Sequence, residues 1–230
     1  MKNILDEKPD VELTGRLLAS VQFVEDSDVQ GKDILNIGCG FGWCELNFLN
    51  RGVSQMTGIE ISEDDLKTAK ENVVSNKVRF QIGNAIQLPF PDQSFDTVVS
   101  WEVIEHIPKN TENMMFKEVY RVLKPGGAFY LSTPYHTFFS DILDPAWWLV
   151  GHRHYSRERL ISFATRNVFA VDAVTIKGRW WTLFSILNMY ISKWILRRTP
   201  LFDSIFSRKE HAEYMEDDGF ADIFVKFKKK

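Results

Sequence analysis

Three glycines and one acidic residue form the clearest chemical pattern in the sequence. Gly38, Gly40 and Gly42 lie in the segment NIGCGFG, which begins in the apolar run DILNIG at 33–38. Glycine suits a place where the backbone must turn sharply and approach a ligand closely. Glu60 follows 22 residues after Gly38, at the end of the next apolar run, where a carboxylate can accept hydrogen bonds from a ribose diol. The pattern predicts a nucleotide site at the carboxyl ends of two neighbouring strands.

The glycine pattern alone leaves more than one interpretation open. A G-x-G-x-x-G loop followed by an acidic residue about 20 positions later is typical of dinucleotide-binding folds. Here the spacing is G-x-G-x-G, and Trp43 stands where that fingerprint has its third glycine. This mismatch disfavours a nicotinamide cofactor, and an NAD-dependent oxidoreductase stays as the alternative enzyme. A strand-to-helix turn that binds nothing is the remaining interpretation.

Strand and helix patterns alternate around these residues. Runs typical of strands lie at 33–38, 55–61, 78–82, 95–101, 128–133, 168–175 and 220–227. Helical spacing of apolar residues lies within 1–30 and at 42–50, 63–75 and 112–123, and Ser156 can cap a helix that continues to 166. Buried strands separated by helix-length segments predict an α/β fold with a doubly wound, mostly parallel sheet.

Two further motifs follow the glycine loop in order. They are GNAIQLPFPDQSFDTVVSWEVIEHI at 83–107 and RVLKPGGAFYLSTP at 121–134. Together with the glycine loop and Glu60, they resemble the class I S-adenosylmethionine-dependent methyltransferases, particularly the branch related to the ubiquinone- and menaquinone-pathway enzymes. The resemblance implies a seven-stranded, Rossmann-like methyltransferase. The resemblance covers about residues 31–135. The length of 230 residues predicts a single domain over 1–230, with a cofactor-binding half at 31–135 and an acceptor-side half at 136–230.

The same resemblance implies a site for S-adenosyl-L-methionine. It assigns the methionine end of the cofactor to the glycine loop, the ribose hydroxyls to the acidic residue, and the adenine and sulfonium to positions after later strands. The positions carried over are Gly38, Cys39, Gly40, Glu60, Ile61, Asn84, Ala85, Ser100 and Trp101. One position departs from the family, because Asn36 stands where the family usually has an aspartate that supports the loop.

Four histidines are candidates for a base on the acceptor side. Imidazole titrates near neutral pH, so it can accept a proton from an acceptor group. His106 lies in WEVIEHI after a predicted strand, and His152 and His154 lie in GHRHYS before a predicted helix. We predict that these three are catalytic, ahead of His136. A structural or exposed role is the alternative for each.

A metal site is a further interpretation of the segment around His106. Glu102, Glu105 and His106 are spaced i, i+3 and i+4, so a helical turn would bring all three to one side. Carboxylate and imidazole groups can hold a divalent cation. The alternative is that these residues face the cofactor or solvent, and the sequence leaves the use of a metal open.

Aromatic residues concentrate in the acceptor-side half. Residues 1–134 contain 12 Phe, Trp and Tyr, and 135–230 contain 19. In the family the last two strands are usually joined directly, so residues 176–219 are predicted to be an insertion. Within it, 180–196 is an apolar helix with one thin polar stripe, formed by Thr182, Ser185, Asn188 and Ser192.

Three interpretations of this helix compete. Its uncharged run from Trp180 to Ser192 has 13 residues, short of the ~20 that a membrane span needs. A helix at a membrane interface fits the tryptophans and flanking cations. The third interpretation is a core or dimer-interface helix that roofs an acceptor pocket. Nucleic acid is disfavoured, because residues 1–176 carry 17 basic and 24 acidic residues, net −7, although 177–230 carry 11 and 7, net +4.

The whole composition is that of an ordinary folded protein, with 28 basic and 31 acidic residues among 230. Two cysteines and no secretory leader pattern favour a cytoplasmic protein, with membrane association left open. We expect methyl transfer to a small-molecule or lipid-like acceptor, at oxygen. A homodimer and a non-catalytic, cofactor-binding partner subunit stay open.

Overall fold

A computed structural model describes residues 8–149 and 151–230, except for the side chains of residues 193 and 194. The first seven residues of the predicted helical segment 1–30 therefore lie outside the described residues. The strands are β1 (Asp33–Ile37), β2 (Gln55–Glu60), β3 (Val78–Ile82), β4 (Phe95–Trp101), β5 (Leu123–Pro134), β6 (Phe169–Lys177) and β7 (Asp222–Lys229). The α-helices are α1 (Gly15–Phe23), α2 (Trp43–Asn50), α3 (Glu63–Asn72), α4 (Glu112–Val122), α5 (Phe138–Leu143), α6 (Pro145–Leu149), α7 (Arg157–Arg166), α8 (Trp180–Tyr190) and α9 (Asp203–Tyr214). A 3-10 turn covers Asp26–Asp28, and a π-helical turn, Ile191–Ile195, continues α8.

The seven strands form one sheet in the order β3-β2-β1-β4-β5-β7-β6. β7 runs antiparallel to β5 and β6, and the other pairs are parallel. Successive strands β1, β2 and β3 extend to one side, and β4 and β5 extend to the other. This topology confirms the predicted doubly wound, mostly parallel sheet, and its reversal point lies between β1 and β4, where such folds bind ligands.

The strand boundaries differ from the sequence prediction mainly in β5. This strand begins at Leu123 rather than at 128, because Leu123 pairs with Phe95 of β4. The register then shifts between Phe95 and Thr97, and regular pairing resumes from Ala128. The Lys-Pro-Gly-Gly segment lies outside the predicted strand at 128–133, because glycine and proline are uncommon inside strands, whereas here it lies within β5.

The core has two layers, one on each face of the sheet. Adjacent residues of β5 serve both layers, because Phe129 packs on one face and Tyr130 on the other, and both are fully buried. Phe129 stacks on Phe227 of β7 with ring centroids 5.7 Å apart. Phe23 of α1 meets Tyr130 edge to face, also at 5.7 Å. The predicted entry helix α1 is therefore packed against the second layer.

The predicted aromatic segment between β6 and β7 contains α8, the π-helical turn and α9. Helix α9 was not predicted, because Tyr214 is its one buried residue and gives no apolar period. One carboxylate of α9 holds the start of α8. Glu213 of α9 accepts hydrogen bonds from the backbone N–H groups of Arg179, Trp181 and Thr182, at 2.8–3.0 Å, and so caps the start of α8.

Two short helices between β5 and α7 were also missed. Helix α5 begins with a capping box, in which the side chains of Thr137 and Ser140 each accept from the other's backbone N–H. Helix α6 starts with Pro145 at its first position, a favoured place for proline. Across 8–149 and 151–230, every helix is too short or too polar to cross a membrane.

Candidate cofactor and acceptor site

Three cavities meet at Glu102, the residue that follows β4. The strand-end cavity, about 400 Å³, lies at the carboxyl ends of β1, β2 and β3. The helix-roofed cavity, about 140 Å³, lies under α5, α6 and α8. The α1 cavity, about 370 Å³, lies between α1 and the start of α2. Glu102 lines all three and has a left-handed backbone, with φ of 55°. A larger cavity of about 630 Å³ at the β6 edge contains none of the predicted site residues.

The strand-end cavity brings together five of the nine positions predicted to bind the cofactor. They are Gly38, Glu60, Ile61, Asn84 and Ala85. The other four lie nearby or beneath. Cys39 is fully buried, Gly40 continues the same turn, Ser100 is fully buried near the end of β4, and Trp101 lines the α1 cavity instead.

Glu60 ties the glycine loop to the end of β2. Its Oε2 accepts a hydrogen bond from the Gly40 N–H at 3.1 Å, and its Oε1 accepts from the Ile61 N–H at 2.7 Å. The N–H groups of Gly38 and Cys39 donate to the Ile59 carbonyl, at 2.8 and 3.0 Å. The carboxylate and the loop are therefore held in one fixed arrangement at the cavity wall.

Gly38 has no room for a side chain. Its φ is 74°, and a Cβ on this residue would lie 2.3 Å from Cγ2 of Val103. Val103 follows Glu102 and lines the strand-end cavity. The glycine therefore allows the chain after β4 to close over the chain after β1.

A buried carboxyl group lies beneath the loop, at a position that the sequence analysis missed. Nδ2 of Asn36 donates a hydrogen bond to Oε1 of Glu45 at 2.9 Å. Burial raises the pKa of Glu45 to about 7, although this hydrogen bond acts to lower it. A Cβ on Gly58 would lie 2.6 Å from the same Oε1. The family's aspartate at position 36 is thus replaced by an amide that faces a carboxyl group from α2.

Two histidines meet at the boundary between the strand-end and helix-roofed cavities. Nε2 of His152 lies 3.2 Å from Nδ1 and 3.1 Å from Nε2 of His106. His106 lines both cavities, and His152 lines the helix-roofed one. Burial and the neighbouring His152 lower the pKa of His106 to about 4. The His106 ring is therefore neutral at pH 7 and can accept a proton.

His154 has a different environment. It is buried, and its Nδ1 and Nε2 lie 2.8 Å from Asp141 and 2.9 Å from Asp144. Burial acts to lower the pKa of His154, but the hydrogen bonds to the two carboxylates outweigh it and raise that pKa. Asp144 also lies 3.8 Å from Nδ1 of His152. On the other side, Asp141 lies 2.9 Å from Nδ1 of His136.

The Glu102–His106 segment is not helical, so the prediction of a helical turn there is wrong. The backbone of Glu102 has a left-handed conformation. Its carboxylate accepts hydrogen bonds from Oγ of Ser132 at 2.6 Å and from Arg16 at 3.1 Å. Glu105 is buried and accepts from Oγ1 of Thr133 at 3.0 Å. Burial, with the charge of Glu102, raises the pKa of Glu105 well above its ordinary value. Within the residues described, no three His, Cys, Asp or Glu side chains are arranged to hold a metal ion.

Arg16 and Asp222 are site residues that the sequence analysis missed. Arg16 of α1 lines the α1 and helix-roofed cavities and pairs with Glu102. Asp222 starts β7 and accepts a short hydrogen bond from the hydroxyl of Tyr214. Burial and the charge of Glu102 raise the pKa of Asp222 to about 7. No local pattern links these residues, which come from opposite ends of the sequence.

The seven-stranded order, with β7 antiparallel, and a cavity of nucleotide size at the reversal point are the architecture of class I S-adenosylmethionine-dependent methyltransferases. Residues 35–131 match the profile of a family described as a methyltransferase domain. Residues 35–131 therefore correspond to a methyltransferase domain of the S-adenosylmethionine-dependent kind that the motifs predicted.

Curated relatives match over about half of this chain. A probable tocopherol O-methyltransferase of Oryza sativa subsp. japonica is 34% identical over 123 residues, 52% of this chain and 33% of that protein. An ajmaline N-methyltransferase of Rauvolfia serpentina is 29% identical over 130 residues, 55% of this chain and 44% of that protein. The chain thus spans less than half the length of these relatives.

Solved structures match over nearly the whole chain at low identity. A geranyl diphosphate C-methyltransferase from Streptomyces coelicolor A3(2), solved with Mg²⁺, geranyl diphosphate and S-adenosyl-L-homocysteine, has a TM-score of 0.65 at 16% identity. The match covers 93% of this chain and 78% of that chain. The likeness establishes the fold.

Proposed function

We propose that this protein transfers a methyl group from S-adenosylmethionine to an oxygen atom of a small-molecule or lipid-like acceptor. The observation that carries the proposal is the position of His106, whose ring lines both the strand-end cavity and the helix-roofed cavity. A donor in the first cavity and an acceptor in the second would meet beside this ring.

The residues around the strand-end cavity suit the cofactor. Its volume of about 400 Å³ lies in the usual range for ligand pockets. The Glu60 carboxylate, already oriented by the loop, would accept hydrogen bonds from the ribose hydroxyls. Ile61 and Ala85 provide apolar walls for adenine next to the polar side chain of Asn84. Gly38, Cys39 and Gly40 would hold the methionine end, and Ser100 and Trp101 are the proposed neighbours of the sulfonium.

When bound, S-adenosylmethionine supplies a methyl group that its positively charged sulfur activates for transfer, and S-adenosylhomocysteine is the leaving group. The chain must align the acceptor, exclude water and remove one proton. The acceptor oxygen would bond to the methyl carbon as the carbon–sulfur bond breaks, and a ring nitrogen of His106 would accept the hydroxyl proton. A base with a pKa near 4 is available but weak, so an acidic hydroxyl, such as that of a phenol, suits it better than an aliphatic alcohol.

The other two predicted histidines would support His106. His152 lies within 3.2 Å of it and can take over the proton. His154, held between two carboxylates, has both ring nitrogens engaged, so we propose that it positions Asp144 and, through it, His152. This division gives one base, one relay and one positioning residue.

The acceptor would be apolar on its other side. Four residues of α8 roof the helix-roofed cavity: Leu183, Ile186, Met189 and Tyr190. An aromatic or isoprenoid-like body fits this wall, and peripheral membrane contact belongs to the same proposal. The names of two relatives, a tocopherol and a geranyl diphosphate methyltransferase, support an acceptor of this kind.

Calorimetry with three compounds tests the cofactor. We expect S-adenosylmethionine and S-adenosylhomocysteine to bind and NAD not to bind. Binding of NAD alone would favour the oxidoreductase and overturn the proposal.

Turnover tests the acceptor. Radiolabelled methyl transfer should appear with phenolic lipids and not with RNA or protein, and transfer to RNA or protein alone would contradict the acceptor class. Tight S-adenosylhomocysteine binding without turnover on any acceptor would favour a non-catalytic partner subunit.

A further inference from the structure

We propose that the outer sides of α5, α6 and α8 form a docking face for the anionic surface of a lipid bilayer. The docking face is defined by Phe138, Trp148, Trp180, Phe184, Ile191 and Ile195, all of them exposed. The inference rests on the proposed function in one respect, since the bilayer would be the source of the acceptor.

Helix α8 and its π-helical turn expose an apolar side. Trp180, Phe184, Ile191 and Ile195 are spaced by four, seven and four residues, which puts them on one side of a helix. Ile195 is 73% exposed. A helix on the surface of a water-soluble domain normally presents polar side chains there.

The polar stripe of the same helix faces the protein. Thr182 is buried, and its hydroxyl donates to Glu213 of α9 at 3.1 Å. Nδ2 of Asn188 donates to the Leu201 carbonyl at 2.7 Å, and the buried Ser192 hydroxyl accepts from the Leu201 N–H at 3.3 Å. The polarity of α8 is thus inverted, with polar groups inward and apolar groups outward.

The exposed side chains of the three helices form one continuous surface. Phe139 of α5 lies 5.6 Å from Phe138 and 4.8 Å from Trp180, between ring centroids. Trp180 stacks on Phe184 at 6.2 Å. Nε1 of Trp148 in α6 donates to the Ile142 carbonyl of α5 at 3.3 Å, which fixes this tryptophan beside α5. Exposed tryptophan and phenylalanine side chains are typical of membrane-interface surfaces.

Charge favours an anionic bilayer over a neutral one. Arg197 and Arg198 follow the π-helical turn, are exposed, and form no ion pair within the described part of the chain. Of the nearby acids, Asp141 is engaged with His154 and Asp144 is buried, whereas Asp203 at the start of α9 is exposed. Cations next to an apolar face are attracted by anionic headgroups.

The docking face and the helix-roofed cavity are two sides of the same helices. Ser140 of α5, Ala146 of α6 and Leu183 of α8 line the cavity on their inner side. A lipid-like acceptor could therefore move from the bilayer into the cavity between helices, without crossing water. Docking would also cover the exposed aromatic side chains, which are costly to leave in water.

A second copy of the chain is the competing occupant. A two-fold dimer through this face would apply the same patch to itself. Such a dimer would bring Arg197 and Arg198 of both copies to one apolar contact, and like charges there oppose association. The bilayer accommodates both the apolar surface and the arginines.

Vesicle flotation tests the docking face without any cofactor. We expect the wild-type chain to float with phosphatidylcholine vesicles that contain phosphatidylglycerol, and less with phosphatidylcholine alone. The double variant Trp148→Ser and Ile195→Ser should partition about tenfold less or weaker still, because two apolar side chains lose their burial. Val74→Ser is the matched control, since Val74 is 86% exposed between α3 and β3, and it should float like the wild type.

The charge reversal Arg197→Glu with Arg198→Glu should remove the preference for phosphatidylglycerol. A wild-type chain that floats with neither vesicle would overturn the proposal. So would a dimer, seen by light scattering, that the Trp148→Ser and Ile195→Ser variant dissociates while no vesicle binds. Circular dichroism checks that each variant is folded.

Calorimetry with S-adenosylhomocysteine on the same proteins separates the two proposals. Vesicle binding without S-adenosylhomocysteine binding would overturn the function and leave docking intact. The reverse result would overturn docking and leave the function intact.

Discussion

Nε2 of His152 lies 3.1 Å from Nε2 of His106, and this contact joins the strand-end cavity to the helix-roofed cavity. The two residues are 46 positions apart and come from different loops. Their contact gives the acceptor side a pair of rings, and partial desolvation together with His152 lowers the pKa of His106.

Activity should depend on pH through His106. Its pKa is lowered to about 4, so the fraction able to accept a proton falls only as the pH drops toward 4. We expect kcat/KM to be flat from about pH 6 to 8. An acidic limb with a midpoint near 6.5 would instead indicate a histidine of ordinary pKa.

Replacement of the same residue tests its role as a base. His106→Gln should lower kcat about 100-fold or more, in the range typical of a lost general base. His136→Gln is the comparison, because His136 lines neither cavity. Equal losses in both variants would contradict the assignment of the base to His106.

Glu45 should make the protein less stable at higher pH. Its pKa is raised from 4.5 to about 7 in the folded state. Between these values the folded chain holds a proton that the unfolded chain has lost, so the free energy of unfolding falls as the pH rises from about 4.5 to 7. Glu45→Gln keeps the acceptor for Asn36 and removes the charge, so it should raise the free energy of unfolding at pH 8 by about 1–3 kcal/mol.

Urea denaturation at pH 5 and pH 8 measures this difference. The gain from Glu45→Gln should nearly vanish at pH 5, where Glu45 is protonated in the folded protein. Asn36→Asp should have the opposite effect at pH 8, because it places a second acid beside the first. A gain of equal size at both pH values would show that the charge of Glu45 is not the cause.

The two loop glycines should respond differently to alanine. Gly38→Ala places a Cβ 2.3 Å from Val103, whereas a Cβ on Gly40 meets nothing within 4 Å, and both have positive φ. We expect Gly40→Ala to cost about 1–2 kcal/mol of stability from backbone strain alone. Gly38→Ala should cost more and also weaken S-adenosylhomocysteine binding. Chemical denaturation and calorimetry measure the two effects, and equal costs would contradict the close approach to Val103.

Glu213 should stabilise the insertion. Glu213→Ala leaves three backbone N–H groups at the start of α8 without their acceptor, and we expect a loss of about 1–3 kcal/mol in the free energy of unfolding. Glu71→Ala is the control, because its exposed pair with Lys67, at 3.9 Å, is worth at most about 0.5 kcal/mol. If Glu213→Ala lowers the free energy of unfolding no more than Glu71→Ala does, Glu213 does not cap α8 as proposed.

The sequence predicts the sheet well because its signals are local. Buried parallel strands are short apolar runs between turn residues, and glycines mark the loop after β1. Helix α9 escaped prediction because a helix with one buried residue has no apolar period. The turn at Glu102 also escaped, since i, i+3, i+4 spacing fits a helix as well as a loop.

The candidate site is harder to predict, because its pairs are distant in sequence. Arg16 meets Glu102 across 86 positions, and Glu213 caps a helix that begins 33 residues earlier. The polar stripe of α8 is visible in the sequence, but which way it faces depends on Glu213 and the Leu201 backbone. Such pairings are set by tertiary packing, and one sequence carries no record of them.

The place of β7 in the sheet has a consequence for biosynthesis. β7 lies between β5 and β6 but is made after both of them and after the whole of α8 and α9. While the chain is being translated, β5 and β6 present unpaired edges, and the apolar α8 has no finished sheet beside it. We therefore expect chains that still lack β7 to be the stage most prone to aggregation through these edges.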